Sequence, residues 1–486
     1  MLKEPGAHQH ALEMVTLESL VPSDHLLRQI DAFIDFEFIR DKVRPLYCID
    51  NGRPATDPVV LFKLLFIGYL YGIRSERQLV KEVQVNVAYR WFLGFSLTDK
   101  IPDASTISQN RRRRFAGTTI YQEIFDNIVE QAQAAGLVTG RVLYTDSTHL
   151  KASANKNRFD VKEVEVAPKS YLEALDAAVD EDRESHGKTP LKAKDEKPET
   201  KESKVSRTDK DAGYMVRDGK PKGFFYLDHR TVDGAHNIVT DSHVTAANVH
   251  DSRPYLSRLD RQRERFGFEV EAVGLDAGYM SAALCRGLEE REVYGVIGYR
   301  RPNHKKGYFY KREYVYDAKA DVYICPAEQR ITYNTTNRVG YREYKSEPKI
   351  CQDCPLLLQC TRSANHTKVI TRHVWQDSKE RIDQHRLSDV GKKIYTRRKE
   401  TVERSFADAK QLHGQRYARL RGLDKVREQC LLAAACQNMK RIALVKARKA
   451  LLSLIPWLSR SISRIKHSLG DTTMLPQQRR QIAVPA

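Results

Sequence analysis

The sequence predicts an α/β protein in which a mixed β-sheet is covered by helices and joined to a helical N-terminal domain. Three observations lead to this prediction: helical patterns fill the first 125 residues, strand-like segments begin at residue 142, and helices alternate with strands from residue 253 to 299. A chain of 486 residues is long enough for several domains and a large core.

Residues 1–125 are predicted to form a helical DNA-binding domain. Residues 58–73 are apolar nearly all round, which is typical of a buried helix, and a later helix carries the basic residues Arg111, Arg112 and Arg113. Short helices that end in a basic helix are compatible with a helix-turn-helix that contacts DNA. The alternative is a small helical bundle whose arginines are simply solvated.

Residues 140–300 are predicted to form the first part of the core. A strand through Asp146 precedes two strands joined by the Asp233-Gly234 turn, as in a hairpin, and alternating helices and strands follow. This order implies a sheet with antiparallel and parallel parts, and it is the element order of the ribonuclease H-like fold. Residues 160–212 are highly charged, and we interpret them as a solvated, partly disordered insertion within this part of the core.

The remaining segments complete the predicted domain organisation. Residues 301–375 are rich in loops and contain cysteines, so we interpret them as an insertion. Residues 380–447 return to helical patterns with an apolar stripe and would be helices of the catalytic core. Residues 465–486 are predicted to be an unstructured tail.

The charge balance predicts a polyanionic partner. Lys and Arg total 82 against 63 Asp and Glu, a net charge of +19, which favours nucleic acid over an acidic membrane surface. No secretory signal is apparent, and the longest apolar run, residues 61–72, contains Lys63 and is too short to span a bilayer. Eight cysteines in a chain of this length do not form a disulfide scaffold. We therefore expect no membrane partner and a reducing, cytoplasmic location.

Three acidic residues stand at comparable points of the predicted core. Asp146 lies in a strand, where Asp is rare, Asp276 ends a later strand, and Glu403 lies on a helix. Carboxylates packed closely repel one another unless a cation neutralises them. Mg²⁺ prefers oxygen ligands and is commonly held by a few carboxylates together with substrate phosphates. The three residues are therefore candidate ligands of Mg²⁺ or Mn²⁺; the alternative for any one of them alone is a surface carboxylate or a helix cap.

Helical geometry favours Glu403 over its neighbour Glu400. Val402, Phe406 and Ala409 form one apolar stripe, and Glu403 lies at the edge of that stripe whereas Glu400 points to solvent. Lys410 is seven residues after Glu403 and returns to the same face of the helix two turns later.

Several motifs together resemble those of the bacterial insertion-sequence DDE transposases. They are DSTHLKASANK from Asp146, LDAGY around Asp276, and a tract from Arg398 through VERSFADAK and RYARLRGL to CQNMKRI. The resemblance spans residues 15–445 and is to the branch with a helical N-terminal domain and a catalytic core interrupted before the glutamate.

The resemblance implies a function and a set of partners. Members of this family use two aspartates and a glutamate to bind Mg²⁺, here Asp146, Asp276 and Glu403, and they cut and rejoin DNA at terminal inverted repeats. The expected partners are those repeats and target DNA, with a homodimer in the synaptic complex, in a bacterial cytoplasm and associated with the nucleoid. Relatives also carry a Tyr-Arg-Glu-Lys signature that contacts DNA. Lys410 keeps its spacing from the glutamate, whereas Tyr395 and Arg398 lie one residue away from the family's spacing.

Four cysteines form a second candidate metal site. They are Cys325, Cys351, Cys354 and Cys360, in which a CxxC pair is followed by a further cysteine and preceded by an upstream one. Four thiolates are the ligands that structural Zn²⁺ prefers. The alternatives are an iron–sulfur type of cluster or reduced thiols that serve packing.

The sequence thus predicts a DNA transposase that performs metal-dependent cleavage of its element's ends and strand transfer into target DNA. Two alternatives remain. One is a ribonuclease H-like nuclease without strand transfer, and the other is a catalytically inert DNA-binding protein.

Overall fold

The computed structural model describes residues 13–48, 55–165, 171–192, 200–216, 221–301 and 305–470, with residues 454–470 described as backbone only. The N-terminal helices are α1 (Leu17–Leu20), α2 (Leu26–Phe33), α3 (Phe38–Val43), α4 (Pro58–Leu70), α5 (Glu76–Val85), α6 (Val87–Leu93), α7 (Ala104–Gln109) and α8 (Ile120–Ala134). The predicted buried helix is confirmed as α4, which begins with Asp57 as its cap and Pro58 in its first turn. Most of its side chains are buried because apolar residues surround its axis.

The first sheet forms the centre of the protein. Its strands are β1 (Val142–Lys151), β4 (Gly213–Met215), β5 (Gly223–Asp233), β6 (Val239–Ala246), β7 (Ala272–Leu275) and β8 (Tyr294–Ile297), and two helices alternate with the later strands, α10 (Tyr255–Phe266) and α11 (Ala282–Glu289). The order across the sheet is β4-β5-β1-β7-β8, with β6 also paired to β5. Strand β1 is antiparallel to β5 and parallel to β7. The predicted mixed α/β sheet is therefore confirmed.

The charged segment at 160–212 forms strands and a helix where the structure describes it, which its composition did not predict. Strands β2 (Phe159–Glu165) and β3 (Thr200–Ser206) pair with each other, and helix α9 (Leu172–Ser185) lies between them in the chain. The physical reason is an amphipathic face hidden in the charged sequence: Leu175, Val179 and Asp182 are buried along one side of α9. Residues 166–170 and 193–199 of the predicted insertion lie outside the described residues.

A second sheet is formed by the cysteine-containing segment. Its strands are β9 (Val315–Asp317), β10 (Val322–Ile324), β11 (Arg330–Thr336), β12 (Tyr341–Lys345) and β13 (Val369–His373), with the short helices α12 (Pro348–Gln352) and α13 (Leu357–Cys360) between the last two strands. All the strand pairs are antiparallel. Helix α9 docks on this sheet, because the buried Asp182 accepts hydrogen bonds from Arg342 and Thr336.

The C-terminal tract consists of separate helices. They are α14 (Gln376–His385), α15 (Asp389–Arg397), α16 (Val402–Gln411) and α17 (Leu423–Gly470). Helix α17 packs against β6 and against the N-terminal helices α2, α4 and α8. One continuous apolar core therefore joins the N-terminal helices to the first sheet. Of the predicted tail, residues 465–470 are helical and residues 471–486 lie outside the described part.

No helix of the described residues combines the length with the apolar composition that crossing a membrane requires.

Candidate active site

Backbone register brings Asp146 and Asp276 side by side. Strands β1 and β7 are parallel, and Thr145 pairs with Leu275 at the last position of their ladder. Asp146 follows Thr145 within β1, and Asp276 follows Leu275 directly after β7. Neighbouring strands lie about 4.8 Å apart, so the two carboxylates emerge at the same edge of the sheet.

Helix α16 carries Glu403 to this edge. Its buried face consists of Val402, Phe406 and Ala409, as predicted, together with Ser405. Glu403 lies in the first turn and remains 47% exposed, at the margin of that buried face.

A buried arginine on the neighbouring strand anchors α16. Arg230 on β5 is fully buried and ion-paired with Asp228 at 2.9 Å. Its guanidinium also donates hydrogen bonds to Ser405, to Gln415 and to Gln437. These contacts tie α16, the loop that follows it and α17 to the sheet, so the helix that carries Glu403 has a fixed position relative to β1.

The three carboxylates surround the guanidinium of Arg398. Its Nη2 is 2.8 Å from Asp146 Oδ2, and its Nη1 is 4.0 Å from Asp276 Oδ1 and 3.7 Å from Glu403 Oε1. Arg398 is 4% exposed, so these interactions are poorly screened by solvent. The name "acidic site" is used below for Asp146, Asp276 and Glu403.

Two glycines make room for aromatic side chains of the site. A Cβ at Gly274 would lie 2.7 Å from the Tyr144 ring and 3.5 Å from Cγ of Arg398. A Cβ at Gly298 would lie 2.5 Å from the hydroxyl oxygen of Tyr395. Real side-chain atoms do not approach as closely as 2.7 or 2.5 Å, so Gly274 leaves room for the Tyr144 ring and Gly298 lets Tyr395 reach the sheet edge.

Burial dominates the electrostatics of Asp146. It raises the pKa of the Asp146 carboxyl to about 6, while Arg398 acts in the opposite direction and the negative charges of Asp276 and Asp251 add to the increase. The pKa of the buried Tyr279 hydroxyl is also raised, by burial and then by Asp146 and Asp251. Carboxylates with a raised pKa beside other acidic groups are common at functional sites.

Asp251 is a further carboxylate beside the site that sequence reasoning missed. Its Oδ1 accepts a hydrogen bond of 2.9 Å from Ser147, the residue after Asp146. A Cβ at Gly278 would be 3.9 Å from carboxylate oxygens of both Asp251 and Asp276. Its position shortly after β6, a strand that runs in the same direction as β1, could have indicated that Asp251 lies at the same edge of the sheet as Asp146.

The donor set of the acidic site fits a divalent metal ion. Three carboxylates that face one positive charge supply the hard oxygen ligands that Mg²⁺ and Mn²⁺ prefer. With Arg398 among them, however, no three His, Cys, Asp or Glu side chains of the described residues are gathered closely enough to hold a metal ion as they stand. The guanidinium is the cation around which these carboxylates are arranged.

Lys410 and Tyr395 lie next to the acidic site. Nζ of Lys410 donates a hydrogen bond of 2.6 Å to the hydroxyl of Thr148, which is on the same face of β1 as Asp146. The Tyr395 ring lies 5.4 Å from the Arg398 guanidinium. The helix thus returns Lys410 to the face of Glu403, as its spacing predicts.

The basic run of the N-terminal helices is divided between interior and surface. Arg111 is ion-paired with Glu76 and, at 2.6 Å, with Glu428, and only 10% of its side chain is exposed. Arg111 lies in the helical turn Asn110–Arg114 and its charge joins that turn to α5 and α17, so it is not open to a DNA phosphate as the sequence predicted. Arg112 and Arg113 are exposed.

The four predicted cysteines line one small cavity of about 30 Å³. Cys325 follows β10, Cys351 lies in α12, Cys354 lies between the two short helices, and Cys360 ends α13. The hydroxyl of Tyr314 is 3.2 Å from Sγ of Cys360, and burial raises the pKa of that thiol. These residues are called the cysteine cavity below. The four thiols line the same cavity, but among the described residues no group of Cys, His, Asp or Glu side chains, these thiols included, is close enough together to hold a metal ion.

Two regions of the chain match known protein families. Residues 15–113 match the family described as Transposase domain (DUF772), and residues 324–443 match the family described as Transposase DDE domain. The second match includes Arg398, Glu403 and Lys410, whereas Asp146 and Asp276 lie outside both. No curated protein matches the chain significantly.

Proposed function

Because the chain belongs to the insertion-sequence DDE transposases, we propose that it cleaves DNA at the ends of its element and transfers the freed strands into target DNA. The observation that carries this proposal is the arrangement of Asp146, Asp276 and Glu403 around one buried guanidinium. Side chains separated by more than a hundred residues meet at one edge of the sheet. Holding like charges together at such an edge costs free energy unless a cation binds between them.

The proposed core is ribonuclease H-like. Support comes from the strand order, in which a hairpin-linked antiparallel part, β5 and β6, adjoins a parallel part, β1, β7 and β8. In the same proposal the N-terminal 125 residues are the DNA-binding domain, residues 140–300 and 380–447 form the catalytic core, and residues 301–375 are an insertion between its two parts.

Asp146, Asp276 and Glu403 would hold Mg²⁺ or Mn²⁺. When bound, such ions activate an attacking oxygen and stabilise the leaving oxygen of a phosphoryl transfer. In the metal-free protein the single positive charge of Arg398 offsets part of the negative charge of the three carboxylates and holds them close together. A bound ion would compete with the Arg398 guanidinium for these carboxylates, and a guanidinium released from them could form paired hydrogen bonds with a DNA phosphate.

Neighbouring side chains would position the DNA. Lys410 is held over β1 by Thr148 and can donate from the same ammonium group to a phosphate oxygen. Tyr395 is more than a third exposed beside Arg398 and offers both a hydroxyl and an aromatic face to a nucleotide. These groups lie on the open side of the acidic site, where a scissile phosphate would enter.

The proposed partners follow from the reaction. They are the terminal inverted repeats of the element and a target duplex, and a homodimer in the synaptic complex would join two ends. The proposed location is the bacterial cytoplasm in association with the nucleoid. The cysteine cavity is proposed as a structural zinc site, on the support of four thiols that share one wall.

The test is cleavage of a DNA fragment that carries the flanks of the gene, in the presence of Mg²⁺, by the wild type and by Asp146→Ala. We expect nicking at a defined position in each flank that disappears in the variant. Joining of the 3′ ends to a second plasmid would establish strand transfer, whereas cleavage without joining would support the nuclease alternative. Binding without any cleavage by the wild type would support an inert DNA-binding protein.

A further inference from the structure

A wide cleft separates the N-terminal helices from the loop that connects α16 to α17. It has a volume of about 920 Å³ and is bordered by α4, α5 and α7 on one side and by residues 419–425 on the other. Five exposed cationic side chains line it: Arg74, Arg77, Lys81, Arg112 and Lys425. This feature is called the basic cleft below.

The exposed cations of the basic cleft have no salt-bridge partner among the described residues. Of its acidic lining residues, Glu76 is ion-paired with Arg111, and Asp103 caps α7 by accepting a hydrogen bond from the Ser105 backbone. Within the part of the chain that the structure describes, no salt bridge involves any of the five exposed cations. Exposed cations that line a concave surface attract a polyanion, because a low-dielectric wall focuses their field.

A basic and aromatic path connects the cleft with the acidic site. Tyr417 is 47% exposed and lies between two cations, with Arg74 5.4 Å from its ring and Lys151 5.8 Å from it. Lys151 ends β1, the strand that contains Asp146. Five residues of strand span about 17 Å, which equals about five base pairs of duplex at 3.4 Å each.

The two walls of the cleft are fixed relative to each other. Arg419, which lines the cleft, donates hydrogen bonds to the backbone carbonyls of Ile73 and Gly68 in the opposite wall. Its guanidinium also lies 4.2 Å from the Tyr69 ring. The cleft is therefore formed before any ligand arrives, which lowers the entropic cost of binding.

We infer that the basic cleft holds the phosphate backbone of the element-end duplex beyond Lys151, on the side away from the acidic site. The identity of the duplex rests on the proposed function, but the binding itself requires no cleavage. The contacts are to phosphates, so they fix the register of the DNA and contribute affinity that is independent of sequence. Tyr417, Arg74 and Lys151 guide the strand between the two places.

The test compares two triple variants of the full-length protein. The cleft variant carries Arg77→Gln, Lys81→Gln and Lys425→Gln, and the matched control carries Lys319→Gln, Lys345→Gln and Lys349→Gln, exposed cations of the second sheet and its short helix. Binding of a 40-base-pair flank duplex and of a scrambled duplex is measured by fluorescence anisotropy in EDTA over a range of salt concentrations.

We expect the cleft variant to bind both duplexes about tenfold or more weakly than the wild type at moderate salt. The slope of log Kd against log salt should fall by about 0.9 for each lost phosphate contact, or roughly 2 to 3 in all. The control variant should keep the wild-type slope. An exchange that preserves charge, Arg77→Lys with Lys81→Arg and Lys425→Arg, should also keep it, which separates lost charge from damaged folding.

Two results would overturn the inference: an unchanged salt slope in the cleft variant, or an equal loss in the control. Because EDTA prevents metal-dependent cleavage, the measurement is independent of the proposed reaction. A wild-type protein that binds through the cleft but never cuts would count against the proposed function alone. Normal binding by the cleft variant together with normal cleavage would count against the cleft alone.

Discussion

The acidic site and the cysteine cavity collect their side chains from distant segments in different ways. In the acidic site, β-ladder register and a helix packed on the sheet place three carboxylates around Arg398. In the cysteine cavity, the thiols come from a turn, two short helices and the segment between them. Rigid elements bring the carboxylates to one sheet edge, where Arg398 lies between them, whereas short irregular segments would depend on an ion to bring the thiols together.

The difference teaches what an internal cation does for a metal site. Three carboxylates at one sheet edge repel one another, and Arg398 reduces that repulsion in the metal-free protein. Four neutral thiols carry no such repulsion and need no counter-ion while they are protonated. We therefore expect substitutions in the acidic site to have large effects on catalysis and charge-dependent stability, and substitutions in the cysteine cavity to act mainly on local structure.

The largest effect is expected for Glu403→Gln. The substitution keeps the size of the side chain but removes the charge that would hold a metal ion, so DNA cleavage should fall by about 10⁴-fold or more, as when one member of a cooperating catalytic group is lost. Glu400→Gln is the matched control, because Glu400 is exposed and lies just before α16. Equal losses in the two variants, measured as initial rates of flank nicking, would remove Glu403 from the active site.

The next effect concerns the internal cation. Arg398→Gln should lower the free energy of unfolding by roughly 3 kcal/mol in EDTA, because a buried charge partner of several carboxylates is lost. Millimolar Mg²⁺ should restore much of this stability to the variant and add less to the wild type, in which the guanidinium competes with the ion.

Urea unfolding with and without Mg²⁺ provides the measurement, and Arg397→Gln provides the control. Arg397 is exposed and donates a hydrogen bond to the backbone carbonyl of Gly234, so its loss should not change the response to Mg²⁺. If Mg²⁺ stabilised Arg398→Gln no more than the wild type, Arg398 would not compete with a metal ion.

These expectations rest on features that the sequence revealed to different degrees. The positions of Asp146, Asp276 and Glu403 could be predicted because each depends on local signals: a carboxylate in or after a strand, or at the edge of an apolar helical stripe. The position of α4 was equally clear from its composition. Such signals can be read from the sequence because backbone geometry fixes the period with which side chains alternate in strands and helices.

Other features depend on packing between segments and could not be predicted from the sequence. The central place of Arg398 requires carboxylates from β1, from the end of β7 and from α16. The burial of Arg111 requires Glu428, which is 317 residues away. The order in α9 requires the surface of the second sheet, so composition alone suggested disorder. In each case the sequence alone predicts a solvent-exposed charged residue, whereas a distant partner buries it.

A smaller effect is expected in the pH dependence of stability. The pKa of Asp146 is raised from 3.8 to about 6 in the folded protein, so the folded state binds its proton more tightly than the unfolded chain. The stabilisation from this group is complete below pH 3.8 and is lost as the pH rises through 6. Relative to Asp146→Asn, which cannot titrate, the wild type should lose roughly 2 to 3 kcal/mol of unfolding free energy between pH 4 and pH 7. Urea unfolding of both proteins in EDTA checks this, and a pH-independent difference would contradict it.

The smallest effect on catalysis is expected in the cysteine cavity. If the four thiols take up zinc as proposed, the purified wild type should contain about one zinc per chain, and Cys351→Ser with Cys354→Ser should lose it, since four thiolates make a closed structural site. Flank cleavage should change by less than about tenfold, because the cavity lies in the second sheet and the carboxylates are positioned by the first. The control is Cys48→Ser, an exposed cysteine outside the cavity. Full cleavage by a wild type without zinc would show that the cavity needs no ion, and loss of cleavage as severe as in Glu403→Gln would show that the two regions are not independent.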